Sequence, residues 1–278
     1  MRLKPSSVLT STLKYSSLIL GCALVVLPLL VIFLASFKTD QEFYNTPVFS
    51  LPSNFLNFQN FNDAFTGGLM LQGFTNTAII LVFSCTGSIL IGTMTAYVLS
   101  RFNFRFNAVV TALFLLAALI PGVSTQVATF QIVSTLGLFN KIGSNIVLNL
   151  GTDVISVYIF LQFLNGIPRD LDEAALIDGA SFFDVYWRII LPLLVPAIAT
   201  VLIIKVVAIY NDFYTPFLYM PGKGLGTIST SLFRFIGPYN AHWEVICAGV
   251  VITIIPTLVI FLFLQKYIYN GLTRGAVR

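Results

Sequence analysis

Long apolar stretches without charge alternate with short charged segments along the whole chain. The uncharged stretches are 15–37, 64–100, 106–140, 154–168, 189–204 and 245–265. A helix that rises about 1.5 Å per residue needs roughly 20 residues to cross about 30 Å of hydrocarbon. The pattern therefore predicts a single-domain, all-α integral membrane protein over residues 1–278 with six transmembrane helices. The predicted spans are about 15–37, 76–99, 107–128, 147–166, 191–213 and 245–266.

The fourth and fifth predicted spans contain charged residues, and the first predicted span resembles a signal peptide. The uncharged stretches 154–168 and 189–204 are too short for a crossing, so the fourth span must admit Asp153 and the fifth must admit Lys205 and Asp212. Basic residues precede the first span, as they do in a signal peptide. That span has 23 uncharged residues, which is longer than the apolar part of a signal peptide, so we interpret it as a retained span.

Composition and charge fix the class and the orientation. With 57% hydrophobic and 9% charged residues, the chain lacks the polar surface of a soluble protein. The net charge of +4 is dispersed, so nothing indicates a nucleic-acid partner. Basic residues prefer the cytoplasmic side of a membrane, and a count of ten against four favours the termini and the 167–190 loop on the cytoplasmic side. The ten are Arg2, Lys4, Lys14, Arg101, Arg105, Arg169, Arg188, Lys266, Arg274 and Arg278, and the four are Lys38, Lys141, Lys223 and Arg234.

The segment 167–190, between spans four and five, predicts a hairpin of two short helices. Pro168 suits the first turn of a helix, where its missing N–H costs nothing. Gly179 is a natural left-handed terminator, and Ser181 with Asp184 forms a capping-box pattern that opens the second helix. The alternative is a solvated loop that only links two spans. Negative charge at the positive end of the first helix comes from Asp170, Asp172 and Glu173.

This segment also carries a family resemblance. Glu173-Ala174-Ala175, then Gly179, then Ile189-Ile190-Leu191-Pro192 resembles the signature loop of ABC importer permeases. Tyr210 stands where the carbohydrate subfamily often has Trp. Further matches to the maltose-type carbohydrate permeases are Asn76-Thr77, Ala96-Tyr97, Ser100-Arg101, Ile120-Pro121, Gly137-Leu138 with Asn140, Ile177-Asp178-Gly179-Ala180-Ser181, Leu191-Pro192-Leu193, Asn211-Asp212-Phe213 and the tail 271–277.

The resemblance implies one half of a heterodimeric translocation pathway in an ATP-driven carbohydrate importer of a prokaryotic cell membrane. Its implied partners are a second related permease, two cytoplasmic ATPase subunits, an extracytoplasmic solute-binding protein, the carbohydrate and the lipid membrane. The chain has no Gly-x-x-x-x-Gly-Lys-Ser/Thr phosphate loop, so ATP and Mg²⁺ are expected on the partner ATPase, with no enzyme activity, cofactor or metal in this chain. The residues implied to dock on that ATPase are Glu173, Ala174, Ala175, Leu176, Asp178, Gly179, Ala180 and Ser181.

Polar groups in the fifth span are candidates for the translocation path, because an ionisable residue inside a membrane is a functional candidate by default. Lys205 and Asp212 are two helical turns apart and share a face, with Tyr210 and Asn211 beside the acid. The alternative pairs Lys205 with a neighbouring helix and leaves Asp212 at the outer interface. An ion-coupled secondary transporter using Lys205 and Asp212 is the main functional alternative, and a channel or membrane scaffold is a second.

The remaining candidate residues predict little chemistry. Asp153 and Glu244 fall near predicted span ends, and the single histidine, His242, is expected to be solvated at the outer rim. Cys22, Cys85 and Cys247 lie in apolar stretches without metal-binding spacing, which indicates packing.

Overall fold

The computed structural model describes residues 5–151, 153–237 and 241–276, without the side chains of residues 5–10, 260 and 263–276. In these ranges the regular secondary structure is helical, apart from an isolated antiparallel bridge between Ile236 and Ala241. This confirms the all-α prediction. The helices are α1 (Pro5–Ala35), α2 (Asp40–Asn45), α3 (Gln59–Gly67), α4 (Met70–Arg101), α5 (Asn107–Ala118), α6 (Gln126–Thr135), α7 (Ile142–Leu150), α8 (Val154–Asn165), α9 (Asp170–Ile177), α10 (Phe182–Leu193), α11 (Val195–Asn211), α12 (Tyr214–Tyr219), α13 (Ile228–Ser231) and α14 (Trp243–Ala276).

The chain divides into two compact units. The first comprises residues 1–70 and 232–258, and the second comprises 71–231 and 259–278. In the first unit, the segment after α1 is held by buried polar contacts. The side-chain amide of Asn60 donates to the carbonyl oxygens of Ser36 at 2.9 Å and Lys38 at 2.7 Å. The buried Lys38 ammonium donates to Thr46, Pro47 and Ser50, at 2.9–3.1 Å.

In the second unit, two apolar clusters organise the helices. One cluster joins the end of α4 to α8, α10 and α11, and it includes the fully buried Phe160, Leu164 and Ile190. The other gathers residues of α4, α6, α11 and α12 around the buried Ile80 and Tyr219.

Two predicted spans are not straight helices, and the sequence explains why. The predicted span 107–128 is not one continuous helix, because α5 ends at Ala118 and the chain turns by 96° before the helical segment Gly122–Thr135. Pro121 lies in the break, where it has no N–H to continue the helix. The predicted span 147–166 is interrupted between α7 and α8, where Gly151 is extended and Asp153 caps α8.

The boundary between the predicted hairpin and the fifth span also needs correction. The predicted span began at 191, but α10 continues through Leu193 and bends by 71° into α11, which ends at Asn211. Pro192 and Pro196 flank the bend. Pro192 removes one backbone donor from α10, and Pro196 lies in the first turn of α11, where a missing N–H costs nothing. Leu194, which is completely buried, is the residue at the bend.

Length and composition identify the helices that can cross a membrane. Two helical segments in the described residues meet the requirement alone, Ser11–Ala35 and Met70–Arg101. The number rises to five if each bent pair, α5 with Gly122–Thr135, α7 with α8, and α10 with α11, is one crossing. A single helix, α14, runs through the predicted sixth span.

Candidate coupling site

The segment 167–190 forms a helix, a glycine turn and a second helix. Gly179 has φ +88°, a left-handed conformation that side-chain-bearing residues rarely adopt. Ser181 and Asp184 form the predicted capping box, with the Asp184 N–H donating to the Ser181 hydroxyl at 3.1 Å. The Ser181 hydroxyl and N–H donate in return to the Asp184 carboxylate and lower the pKa of Asp184, with a smaller effect from Arg188. The first helix begins at Asp170, two residues later than Pro168 suggested.

Charged contacts fasten α9 to the end of α4. Arg101 Nε lies 2.6 Å from Asp172 Oδ2, and the two side chains are only 7% and 12% exposed. Arg101 Nη2 also donates to the carbonyl of Ile167 at 3.0 Å, while Arg169 Nη2 donates to the carbonyl of Ser100 at 2.8 Å. Sequence reasoning assigned Asp172 only to the helix terminus. Its partner lies far away in the chain, so no local pattern could reveal the pair.

Aromatic contacts fasten α10 to the same end of α4. The Tyr186 hydroxyl lies 2.9 Å from the Thr93 hydroxyl, and the Tyr97 ring contacts those of Tyr186 and Phe102 at centroid distances of 5.5 and 5.8 Å. Phe102 also contacts Phe182 at 5.1 Å. Together with the charged contacts, these side chains hold both helices of the hairpin against one platform.

The hairpin therefore has an inner and an outer face. Ala175, Leu176 and Ala180 are half-buried against the apolar cluster. The other predicted docking residues are exposed: Glu173, Ala174, Asp178, Gly179 and Ser181.

The outer face carries large apolar side chains, and the sequence analysis missed the two aromatic ones, Phe183 and Trp187. Ile177 is 85% exposed, and the Trp187 ring stacks on Phe183 with a centroid distance of 6.2 Å. The i, i+4 spacing of these two aromatic residues was the available signal, because residues four apart share a helix face. The outer face thus combines exposed apolar groups with the acidic Glu173 and Asp178, a composition suited to contact with another protein.

Lys205 lies in a polar contact between the broken helices. Its side chain is 11% exposed, and Nζ lies 3.3 Å from Asp153 Oδ2. It also donates to the carbonyls of Gly151 at 3.1 Å and Asn149 at 3.5 Å. Lys205 therefore bridges the end of α7 and the start of α8.

The other translocation candidates lie at the end of α11. Asp212 closes that helix, and its carboxylate accepts a hydrogen bond from the Thr215 N–H at 3.1 Å. Asn211 is exposed and donates to the carbonyl of Val207 at 2.9 Å, while Tyr210 is half-buried. The ion-pair partner of Lys205 is Asp153, so Lys205 and Asp212 belong to separate contacts.

An all-helical chain with helices long and apolar enough to cross a membrane defines a helical membrane protein, and its anchored polar hairpin leaves one face exposed. Residues 88–274 match the family described as "Binding-protein-dependent transport system inner membrane component". The match covers more than half of the chain, and the chain belongs to this family. Its members are transport subunits, not enzymes.

Relatives agree with this assignment over nearly the full length. The "Probable starch degradation products transport system permease protein AmyC" of Thermoanaerobacterium thermosulfurigenes is 33% identical over 95% of this chain and 97% of its own. The "Galactooligosaccharides transport system permease protein GanQ" of Bacillus subtilis is 32% identical over 96% and 95%. The prediction of a carbohydrate ABC importer permease is thus confirmed.

Solved structures share the fold. A chain of a bacterial ABC transporter involved in the import of the acidic polysaccharide alginate superimposes with a TM-score of 0.85 at 19% identity, covering 96% of this chain and 99% of that one. A second structure is the alginate transporter in complex with an alginate pentasaccharide-bound periplasmic protein. Its matched chain has a TM-score of 0.67 at 21% identity, with 93% of each chain covered.

Proposed function

We propose that this permease couples sugar import to a separate ATPase through the outer face of segment 167–190. The observation that carries the proposal is the division of the hairpin into two faces. Its inner face is fixed to α4 by the Arg101–Asp172 ion pair and by aromatic contacts, while Glu173, Ile177 and Trp187 are exposed on the outer face. A partner that binds the outer face would move the hairpin together with α4, to which the inner face is fixed.

The transport cycle follows from that attachment. ATP binding closes the two ATPase subunits, the docked hairpin moves with them, and the helices change from an inward-facing to an outward-facing arrangement. ATP must bind the outward-facing state more tightly, because a ligand shifts an equilibrium only by its difference in affinity between the two states. This chain contributes one half of the pathway, and a second related permease contributes the other.

The topology and remaining partners complete the proposal. Six spans place both termini in the cytoplasm, and a solute-binding protein delivers the carbohydrate to loops 38–70 and 214–241. The names of the relatives and the periplasmic protein bound to the alginate transporter support this arrangement. Tyr210, Asn211 and Asp212 are proposed to contact the pathway, and Lys205 to position the helices around it.

Charge reversal at Glu173 tests the docking surface. Glu173 is exposed, so Glu173→Lys should leave the chain folded and inserted while it disrupts contact with the ATPase. We expect ATP-driven sugar uptake by proteoliposomes containing the full transporter to fall at least about tenfold, which corresponds to about 1.4 kcal/mol of lost coupling. Arg105→Glu, a charge reversal at an exposed residue outside the hairpin, should retain uptake. Normal uptake by Glu173→Lys would contradict the docking assignment.

Gly179→Pro tests the turn between the two helices. Proline fixes φ near −65°, whereas Gly179 has φ +88°, so the turn cannot keep its geometry. The variant should insert into the membrane and fail to couple ATP hydrolysis to uptake. If this chain alone transported sugar without ATP, and an ionophore abolished that uptake, the result would instead favour an ion-coupled secondary transporter.

A further inference from the structure

A second polar cluster lies in the first unit of the chain. One ligand atom from each of Asp40, His242 and Glu244 lies within 4.8 Å of the other two. Asp40 is the first residue of α2, while His242 and Glu244 are at the start of α14. The Tyr44 hydroxyl donates to the carbonyl of Ala241 at 3.1 Å, which attaches α2 to the segment that carries His242.

The buried carboxylate of Glu244 points to a missing ligand. Its side chain is only 4% exposed, and Oε2 accepts no hydrogen bond from any described residue. Among the described residues, the ion-pair partner of Glu244 is His242, whose Nδ1 lies 3.3 Å from Glu244 Oε1. A buried carboxylate without a full set of donors is costly, so a bound cation would stabilise this arrangement.

The geometry fits a transition-metal ion. In a tetrahedral site with bonds of about 2.0–2.1 Å, two ligand atoms lie roughly 3.3–3.4 Å apart. The His242 Nδ1 to Glu244 Oε1 distance of 3.3 Å already has this value. Asp40 is exposed, so its side chain can move the short distance needed to become a third ligand.

We propose that Asp40, His242 and Glu244 bind a divalent transition-metal ion such as Zn²⁺. One imidazole and two carboxylates form a mixed donor set, and the imidazole favours Zn²⁺ over Mg²⁺ or Ca²⁺. The ion links α2, in the predicted outer loop 38–70, to the start of the last helix. This site is independent of ATPase docking, and it would stabilise the surface to which a solute-binding protein is proposed to deliver sugar.

Metal binding to the complete purified transporter tests the proposal. The complex is stripped with a chelator, carries an affinity tag without histidine, and is titrated with Zn²⁺ or Mg²⁺ at about pH 7.5. We expect one additional Zn²⁺ per copy of this chain in the wild type, lost in Asp40→Asn and in His242→Gln. Asp63→Asn, in the same loop, should retain it. Mg²⁺ should not compete at equal concentration.

Two further readouts separate binding from folding. Zn²⁺ should raise Tm by at least about 2 °C in the wild type and in Asp63→Asn but not in Asp40→Asn. Because Asp40 is exposed, Asp40→Asn should fold like the wild type without metal, even if a Glu244→Gln variant fails to fold. Co²⁺ should give tetrahedral visible absorption that His242→Gln abolishes.

Three results would overturn the assignment. One is a wild-type complex that binds no more Zn²⁺ than the two variants. Another is a Tm shift that survives in Asp40→Asn, and the last is equal displacement by Mg²⁺. These outcomes leave the ATPase-docking proposal untouched, because Glu173→Lys is judged by ATP-driven uptake alone.

Discussion

Replacing Asp172 by Asn removes one charge from the buried pair that fastens the hairpin to α4. Arg101 would then remain largely buried, with the carbonyls of Ile167 and Leu164 as its acceptors at 3.0 and 3.5 Å. Two unit charges about 4 Å apart interact by about 4 kcal/mol at an effective dielectric constant of about 20. Breaking a buried pair by removing one partner typically costs about 3–5 kcal/mol.

We expect Asp172→Asn to lower the free energy of unfolding by about 3 kcal/mol, near the lower limit, because two carbonyl acceptors still solvate Arg101. Unfolding in detergent can be followed by titration with SDS. The chain has two tryptophans, so a Trp243→Phe background leaves Trp187 as the reporter, and Trp187 lies on the hairpin itself. In reconstituted transporter, uptake should fall while ATP hydrolysis continues, since the docking face is intact and its anchor is not.

The double variant Arg101→Met with Asp172→Leu separates an ion pair from simple packing. Removing both charges leaves no unpaired ion, so the double change should cost less than the single changes Arg101→Met and Asp172→Leu added together, with a coupling of at least about 1 kcal/mol. The reasoning is refuted if Asp172→Asn loses less than about 1 kcal/mol. Additive losses in the double variant would refute it equally.

Two further predictions concern other parts of the chain. Lys205→Met removes the donor that bridges α7 and α8. We expect the free energy of unfolding in SDS to fall by about 1–2 kcal/mol, because Asp153 is partly exposed and its charge is screened by solvent. Lys205→Arg should recover part of this loss, and an unchanged unfolding midpoint in Lys205→Met would contradict the bridge. Hydrogen bonds from Ser53 and Thr39 lower the pKa of Glu42 from 4.5 to about 2, so their stabilisation is complete above pH 4.5 and is lost as the pH falls towards 2. Amide hydrogen exchange at residues 39 and 53, corrected for intrinsic rates, should accelerate as the pH falls over this range in the wild type but not in Glu42→Gln. Equal acceleration in both proteins would contradict the assignment of these hydrogen bonds to Glu42.

The parts of the fold that follow local rules were predictable from the sequence. Ser181 and Asp184 lie three residues apart, and Gly179 precedes them, so the capping box and the left-handed turn need no information from elsewhere in the chain. The contacts that orient the hairpin were not predictable in this way. Arg101 and Asp172 lie on different helices, and their pairing depends on how α4 and α9 pack.

The helix breaks show a different limit. Hydropathy reports whether a stretch can lie in lipid, but it is insensitive to a lost backbone hydrogen bond. The stretch 106–140 is uncharged throughout, yet Pro121 stands at a 96° turn within it. Hydropathy also marks Lys205 as an unusual residue inside a span, but it does not indicate which acidic residue pairs with Lys205. Its contact with Asp153 exists because the α7–α8 break presents both that carboxylate and a carbonyl to it.

The position of the bend at Leu194 determines what must move with the hairpin. Ile190 and Leu194, before and at the bend, are both completely buried in the cluster that includes α4 and α8. A closely packed bend transmits a displacement of α10 to α11, because close-packed side chains resist gradual deformation. Force applied to the outer face near Ile177 would therefore reach α11 through the buried bend. Since Lys205 on α11 contacts both α7 and α8, the same displacement would reach the broken helices that the proposal places around the pathway.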